Sequence, residues 1–467
     1  MVGLKWDELT AEERLIAEQA VMNLRSLNKA CREAPQGKVL WVAEVLAVDQ
    51  GRELTRRTLE VSLQSEAAEV EKKSSAERVC GCGLRKRHRG CKRRQVLTHA
   101  GEITVVRVDW HCSKCQVGSY PVDDRIGIEG RYSPQAQRLM CLAAGSWSYD
   151  VSSDRLQEFC GLWISDTTIR EVAQEHGSKA NEWLRTEPAA VKEFREAVGV
   201  TEFTTDGTSV NTREGWREVK VGIFVKRKLG QAATPDEWAT RDLPRPLARI
   251  PYAAIEASES FGPRSKAWAK RLGLADISAI TVLADGAKWI WEEQRKHLTQ
   301  ADGMLDIFHV IEHLTTTSKA LFSDADKAKA WAELARHTLL HEGWDGIEAL
   351  LQPLVLDSTT APSIAPPLRP HALPPPLQPA LRTAAQQAAL DALRNYLAPH
   401  AHHLNYAERL QEGRSIGSGQ VEGACKNMIG RRLKANAARW RTRRVNRMAG
   451  LCSLLYSDQW NTYWQTL

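Results

Sequence analysis

Apolar and polar positions change period several times along this chain. Over residues 1–76 apolar side chains recur at helical spacing, through Leu15, Ile16, Ala20, Val21, Leu24 and Leu27 and again from Val39 to Leu63, with charged residues between them. From Arg78 the sequence turns short, basic and rich in Gly and Cys, and residues 102–110 alternate in the two-residue period of a half-buried strand. Helical spacing returns over 133–177. There residues 153–160, the turn Gly161-Leu162-Trp163 and residues 164–176 predict helix, tight turn and helix. Strands are predicted at 200–206, 216–226, 248–256, 277–284 and 304–310, with helices at 263–272 and 288–297, giving the order β-β-β-α-β-α-β. Residues 311–400 break that rhythm. Helices at 328–340 and 384–396 flank a segment with nine of the chain's 19 prolines, between Pro353 and Pro379, which reads as an extended linker or exposed loop.

These changes divide the 467 residues into an N-terminal helical region (1–76), a Cys-containing module (77–127), a helical segment (128–195), the first part of an α/β core (196–310), a helical insertion (311–400), the rest of the core with a basic tail (401–450) and a C-terminal segment (451–467). With 43% hydrophobic and 26% charged residues the composition is that of a soluble globular protein. No uncharged apolar run approaches the roughly 20 residues of a membrane span. The N-terminus lacks the apolar stretch of a signal peptide, so a cytoplasmic location is expected, and the ten cysteines are expected to be reduced or to bind metal.

The net charge of +7 is modest, but it is unevenly spread. Arg78 to Arg94 contains eight Lys or Arg and no acid, and Lys426 to Arg447 contains nine and no acid. Such blocks are either solvated faces or contacts for a polyanion, whose neutralised phosphates release counterions. In the first block Cys80-Gly81-Cys82 is joined to Cys112-Ser113-Lys114-Cys115 by about one hairpin's length, the layout of a zinc ribbon with a structural Zn2+. Cys91 or His111 is an alternative ligand to one of the four. Arg85, Lys86, Arg87, Lys92, Arg93 and Arg94 are the candidate DNA contacts there. In the later helix pair Ser165 or Asp166 caps the second helix, and Thr167, Thr168 and Arg170 face outward near its start, as in a helix-turn-helix.

Three acids end segments in a way that suggests they meet. Asp206 and Asp285 each close a strand-like run and precede a Gly, while Glu422 lies early in a helical stretch after Gly417-Ser418-Gly419. Asp-Gly alone is also favoured turn chemistry. Carboxylates from two strand ends and one helix suit a two-metal phosphodiester-cutting centre, and hard oxygen ligands without thiolates favour two Mg2+ (or Mn2+) ions. Val421, Ala424, Cys425 and Met428 would pack that helix on the sheet, leaving Lys426, Arg431, Arg432, Lys434 and Arg439 for phosphates. Asp306 and His309 are candidates to support the site, or else ordinary core residues. Trp289 and Trp291 would stack on an unpaired base or belong to the core.

Several runs taken together resemble the DDE transposases of bacterial insertion sequences. They are Thr205-Asp206-Gly207-Thr208, Ala284-Asp285-Gly286-Ala287-Lys288-Trp289, Asp306-Ile307-Phe308-His309, Gly417-Ser418-Gly419-Gln420-Val421-Glu422-Gly423 and Arg431-Arg432-Leu433-Lys434. The branch resembled is the ISKra-type group, over roughly residues 78–450. The resemblance implies an α/β fold: a ribonuclease H-like catalytic core with an α-helical insertion, preceded by zinc-ribbon and helical DNA-binding segments. It further implies Asp206, Asp285 and Glu422 as the metal-binding triad, and an enzyme acting on double-stranded DNA at element ends and target in association with the nucleoid. Two ends handled together imply a homodimer or higher oligomer on DNA. The Cys-x-Cys knuckle and the Pro-rich segment depart from the pattern. Rival readings are a non-catalytic DNA-binding regulator and a stand-alone nuclease. No phosphate-binding Gly-x-x-x-x-Gly-Lys-Ser/Thr loop and no Gly-x-Ser-x-Gly turn is present, so no nucleotide cofactor is expected.

Overall fold

A computed structural model describes residues 5–73, 78–274, 276–351, 383–435 and 438–467, and the Pro-rich segment at 353–379 lies outside them. The chain is mixed α/β and forms two compact units, Met1–Ala173 and Gln174–Leu467. Among the described residues no helix is long and apolar enough to cross a membrane.

The first unit opens on helices α1 (Ala11–Glu33) and α2 (Val39–Lys73). Thr10 caps α1: its hydroxyl accepts the Glu13 amide and the Glu13 carboxylate accepts the Thr10 amide, so two orphan donors are satisfied together. Strands β1 (Arg87–Thr98), β2 (Gly101–His111) and β3 (Gly118–Ser119) form an antiparallel sheet in that order. Because β3 pairs only with Trp110 and His111, the rest of that β2 edge is open. Side chains of α2 close it. Glu60 accepts the Thr104 amide (2.7 Å), and Gln64 accepts the Val106 amide (2.8 Å) and donates to its carbonyl (3.0 Å). Ala67 of α2 joins Val96, Ile103 and Val105 in a small core beneath. Helices α3 (Pro121–Ile126), α4 (Pro134–Ser146), α5 (Tyr149–Cys160) and α6 (Asp166–Thr186) follow, and the division between units falls within α6. Gly161 ends α5 at φ +68°, the left-handed cap a helix needs to stop abruptly. Ser165 caps α6 by accepting the Thr168 amide.

In the second unit a short helix α7 (Lys192–Glu196) leads to strands β4 (Val200–Thr212), β5 (Gly215–Arg227) and β6 (Ala248–Ala254), helix α8 (Ser258–Arg271), strand β7 (Ile280–Ala284), helix α9 (Lys288–His297) and strand β8 (Asp302–Leu305). The element order expected for this stretch is present. The strands lie β6-β5-β4-β7-β8, with β4, β5 and β6 antiparallel and β7 and β8 parallel to β4. Successive residues of β7 point to opposite faces, so Val282 enters one core with Phe203, Phe224 and Trp268 while Leu283 enters another with Met304 and Leu305. The second core is shared with α10 (Ile307–Leu321), α11 (Ala325–Leu351), α12 (Ala384–Leu397) and α13 (Tyr406–Gln411). The chain closes with α14 (Gly419–Ala424), a π-helix (Cys425–Lys434), α15 (Thr442–Tyr456) and α16 (Trp460–Thr466).

Three boundaries differ from the sequence reading. β4 does not end at Asp206 but runs on to Thr212, because β5 pairs with it throughout, from Val200↔Arg227 to Thr212↔Gly215. The strand expected over 304–310 stops at Leu305, since Asp306 caps a helix there. The helix after Glu422, expected to be regular, widens into π geometry over Cys425–Lys434.

Burial holds the pKa values of His176, His400 and His403 down to about 4, 4 and 3, so all three fold as neutral imidazoles. Their contribution to stability is complete above the unfolded value of 6.5 and is lost as pH falls from there toward the folded values. The urea-unfolding midpoint of the full chain is therefore expected to drop between pH 7 and pH 5, and an unchanged midpoint would refute neutral burial.

Candidate functional site

Sheet register brings three acids into one row. In the parallel pairing Thr201 lies opposite Ile280 and Thr204 opposite Leu283, so the residue level with Asp206 is Asp285. Between β7 and β8, Ala284 lies opposite Leu305, which puts Asp306 level with Asp285. Asp206 sits where β4 outruns β7, and Asp285 and Asp306 are the first residues beyond their strands. In-register neighbours in a sheet are about 4.8 Å apart and face the same side. This row marks the carboxyl ends of parallel strands, where α/β sheets place ligands.

Glu422 reaches the row from a different part of the chain, and Asp306 holds it there. The fully buried Asp306 carboxylate accepts the Ser418 amide (3.0 Å) and the Ser418 hydroxyl. Ser418 is the N-cap of α14, four residues before Glu422. The other oxygen of Asp306 accepts the Phe308 amide (2.7 Å) and so starts α10, which carries His309. One ligand atom each from Asp306, His309 and Glu422 lies within 4.8 Å of the others. Among the described residues this is the tight oxygen–nitrogen group at the sheet edge, and Asp206 and Asp285 stand beside it as electrostatic neighbours rather than members. Asp306 already takes three hydrogen bonds, which leaves His309 and Glu422 with the more available donor atoms.

The acids press on one another. Burial, followed by the charge of Asp285, raises the Asp206 carboxyl above the usual carboxylate range, although the Gly207 amide (2.6 Å) and the Cys425 thiol (3.7 Å) donate to it. Partial desolvation, then Asp306, raises Glu422 as well, with Asp206 adding to the effect and the His309 imidazole opposing it. Burial beside Asp206 pushes the Cys425 thiol well up, so it remains a donor to that carboxylate.

The surroundings of Asp285 combine residues singled out by the sequence with others that were not. Asp285 accepts the Ala287 amide (3.0 Å), and its carbonyl accepts the indole N–H of Trp291 (2.7 Å). Trp291 is buried and stacks on His403 at 4.2 Å, so it is a core residue rather than a platform for a base. Trp289 is half-buried, with the Lys220 ammonium 3.9 Å from its ring centre. Tyr396, on α12 of the insertion, closes over Gly286: a Cβ there would meet the ring at 2.2 Å, and the His313 ring stacks on Tyr396 at 3.7 Å. Only the spacing of Asp306 before an apolar helix hinted at a cap. Ser418 stood in the run before Glu422 but nothing local marked its partner, and Tyr396 gave no sequence signal.

The second cluster is the thiol tetrad. Cys80, Cys82, Cys112 and Cys115 each offer a sulfur within 4.8 Å of the rest, while Cys91 is exposed and neither it nor His111 belongs to the group. Two tight turns aim the sulfurs inward: the Gly83 amide donates to the Cys80 carbonyl (2.8 Å), and the Gln116 amide, at φ +57°, donates to the Cys112 carbonyl (2.9 Å). The Cys115 and Lys114 amides pull the Cys112 thiol down, in the thiolate direction. Four soft donors at this spacing fit a tetrahedral thiophilic ion.

Of the candidate phosphate contacts, Arg85, Arg87, Arg93, Thr167, Lys426, Arg431, Lys434 and Arg439 are exposed. Lys86 donates to Ser119 and Lys92 to Asp109 and Tyr120, Arg94 and Arg170 are half-buried, and Thr168 is bonded to Ser165. Arg432 is a correction. It is buried, with its guanidinium 4.9 Å from the centre of the Trp440 ring, because it lies four residues after Met428 on the face of that helix packed against α15.

Since folding raises the pKa of Asp206, ionising it at neutral pH costs stability that is intact below its unfolded value near 3.8. Asp206→Asn is expected to raise the melting temperature in divalent-free buffer at pH 7.5, and a lower melting temperature would contradict that reading. No protein-family model matches this chain, and no curated protein is significantly similar to it.

Proposed function

We propose that this chain is a DNA transposase of the DDE type, which cuts at the ends of its element and joins the freed 3′-OH ends to target DNA. The observation that carries the reading is the in-register placement of Asp206 and Asp285 on neighbouring parallel strands, with Glu422 tied to the same sheet edge through Ser418 and Asp306. The strand order, third-second-first-fourth-fifth with the first three antiparallel, supports a ribonuclease H-like core. The paired cysteines flanking β1 and β2 support a zinc ribbon, and the α5–Gly161–α6 pair supports a helix-turn-helix.

The donor set fits two hard divalent cations held by Asp206, Asp285 and Glu422, with His309 adjoining; when bound, such ions supply Lewis-acid activation of water and of the scissile phosphate. The chain's own groups do the rest. Asp306 sets the angle at which Glu422 enters, and the Cys425 thiol and Gly207 amide fix the carboxylate of Asp206. The stacked rings of Tyr396 and His313 wall the Asp285 side. Exposed Lys426 and Arg431 extend from the Glu422 helix as phosphate partners, and Arg85, Arg87 and Arg93 do so from the Cys module. Cleavage and joining then need only one centre, because the same carboxylates that orient water for hydrolysis orient a 3′-OH for strand transfer.

Incubating the purified protein with its own flanking DNA, with and without Mg2+, separates the readings. Nicked and joined products are expected. Cleavage without joining would indicate a nuclease, and binding without cleavage a regulator. Asp206→Asn, Asp285→Asn and Glu422→Gln are each expected to lower the cleavage rate by about 10^3-fold or more while gel-shift binding survives; wild-type cleavage in any of them removes that residue from the site. Cys112→Ser is expected to lower zinc content by one equivalent and to expose residues 78–120 to proteolysis, and unchanged zinc would sink the ribbon.

A further inference from the structure

A third group of ligand atoms lies apart from both sites. The imidazoles of His337 and His341, one turn apart on α11, and the carboxylate of Asp236, in the connection between β5 and β6, each place a donor atom within 4.8 Å of the others. Asp236 Oδ1 is 3.1 Å from His341 Nε2 and 3.6 Å from His337 Nε2, and the two rings stack at 4.2 Å. We infer that these three residues form a binding site for a borderline divalent transition ion of the Zn2+ class, which fastens the insertion to the core.

Several observations favour this over an ordinary surface ion pair. One carboxylate oxygen faces the Nε2 atoms of two imidazoles at once. Two imidazole nitrogens and one carboxylate oxygen suit an ion that accepts imidazole, whereas Mg2+ prefers an all-oxygen shell. All three side chains reach solvent, with side-chain exposures of 69%, 59% and 31% for Asp236, His337 and His341, so an ion has access and a coordination position is left for water.

The two supports are also fixed independently of the ligands. Thr234 caps the turn before Asp236 by donating its amide and hydroxyl to Glu237, both at 2.8 Å. Trp238 packs on the insertion's core, 5.9 Å from the Phe308 ring. On α11 the buried Trp331, Ala335, Leu339 and Leu340 set the rotation of the helix and leave His337 and His341 facing the turn. A site whose supports are preset loses little entropy on loading.

The connection that carries Asp236 also runs beside the chain leading to Glu422. The Gly230 amide donates to the Gly413 carbonyl (2.9 Å), the Ala233 amide to the Leu410 carbonyl (2.9 Å) and the Arg241 guanidinium to the Arg414 carbonyl (2.7 Å). An ion at Asp236, His337 and His341 therefore clamps α11 to the segment that positions α14.

The test uses the full chain loaded with Zn2+ in excess Mg2+, which occupies hard oxygen sites. Bound zinc is counted after desalting, and melting temperature is recorded with and without added Zn2+. The double variant His337→Ala/His341→Ala is expected to hold one zinc fewer than wild type and to lose the zinc-dependent rise in melting temperature, while keeping the wild-type melting temperature in zinc-free buffer. This difference is independent of the thiol tetrad, which both proteins retain. Asp236→Ala is expected to weaken the same zinc. Equal zinc content in wild type and the double variant would overturn the proposal, as would wild-type zinc affinity in Asp236→Ala, which would reveal a bare histidine pair binding adventitiously.

Discussion

The chain reaches Glu422 some 220 residues after Asp206, and its approach is fixed at successive points to strands of the same sheet. Arg409, buried in α13, uses all three guanidinium nitrogens: on the Ser415 carbonyl (3.2 Å), on Asp302 of β8 (2.5 Å) and on Thr281 of β7 (3.2 Å). Ser415 in turn donates to Glu202 of β4, whose other oxygen is 3.4 Å from Arg227 of β5. One residue on, the Ile416 carbonyl accepts the Ile307 amide (3.1 Å), and Ser418 then binds Asp306. Four neighbouring strands are thus bolted to residues 415–418 before the Glu422 helix begins. Hydrogen bonds to buried charged groups are worth about 1.5–3 kcal/mol each, and a partner left unpaired costs a comparable amount. Truncating any member of this chain of contacts would therefore let Glu422 drift from the sheet edge.

That constraint is needed because the site is electrostatically adverse. Asp206, Asp285, Asp306 and Glu422 carry the same sign, and the first and last titrate upward chiefly because they are desolvated and then because of their acidic neighbours. Asp306 is relieved by three short-range donors, so its charge is absorbed into the fold. Asp206 has only an amide and a weak thiol donor, and Glu422 has the His309 imidazole nearby. The charge at Asp206, Asp285 and Glu422 is thus concentrated where the strands end, and burying it there costs stability.

How much of this was legible in the sequence follows from how local each signal is. The helix Lys288–His297 was read to the residue, because period and flanking turns are properties of adjacent positions. The strand at Asp206 was read too short because the alternation weakens at Gly207 and Thr208, and what extends it is pairing with β5. Gly207 lies within β4 rather than in a turn, and a Cβ there would fall 2.1 Å from the Glu218 carboxylate, the end of a flexible side chain that would have to shift. Asp306 was visible as a polar residue before an apolar run, yet its bond to Ser418 spans 112 positions and leaves no periodic trace. The thiol tetrad was legible because metal-ligand spacing is itself a local pattern. Arg432 was misread because its charge suggested exposure, although helical spacing places it four residues after Met428 and eleven after Val421, on their buried face.

The two cores on either face of the sheet divide the labour around the row of acids. The α8, α9 and α15 side packs aromatic rings tightly, with Phe203 on Phe224 at 4.5 Å and Tyr252 between Phe261 and Trp268, and supplies rigidity beneath β4. The insertion side instead contributes groups that touch the site: Tyr396 over Gly286, His313 against Tyr396, and the Tyr406 hydroxyl on the Leu305 carbonyl (2.9 Å) just before Asp306. Gly286 and Gly417 mark two close approaches, since a Cβ on either would overlap Tyr396 or Phe308. A helical insertion placed between the second aspartate and the late glutamate is thus more than a spacer. Its α12 braces Asp285, and α13, which follows it in the same core, holds the segment leading to Glu422, so a change in how these helices pack would reach both acids at once.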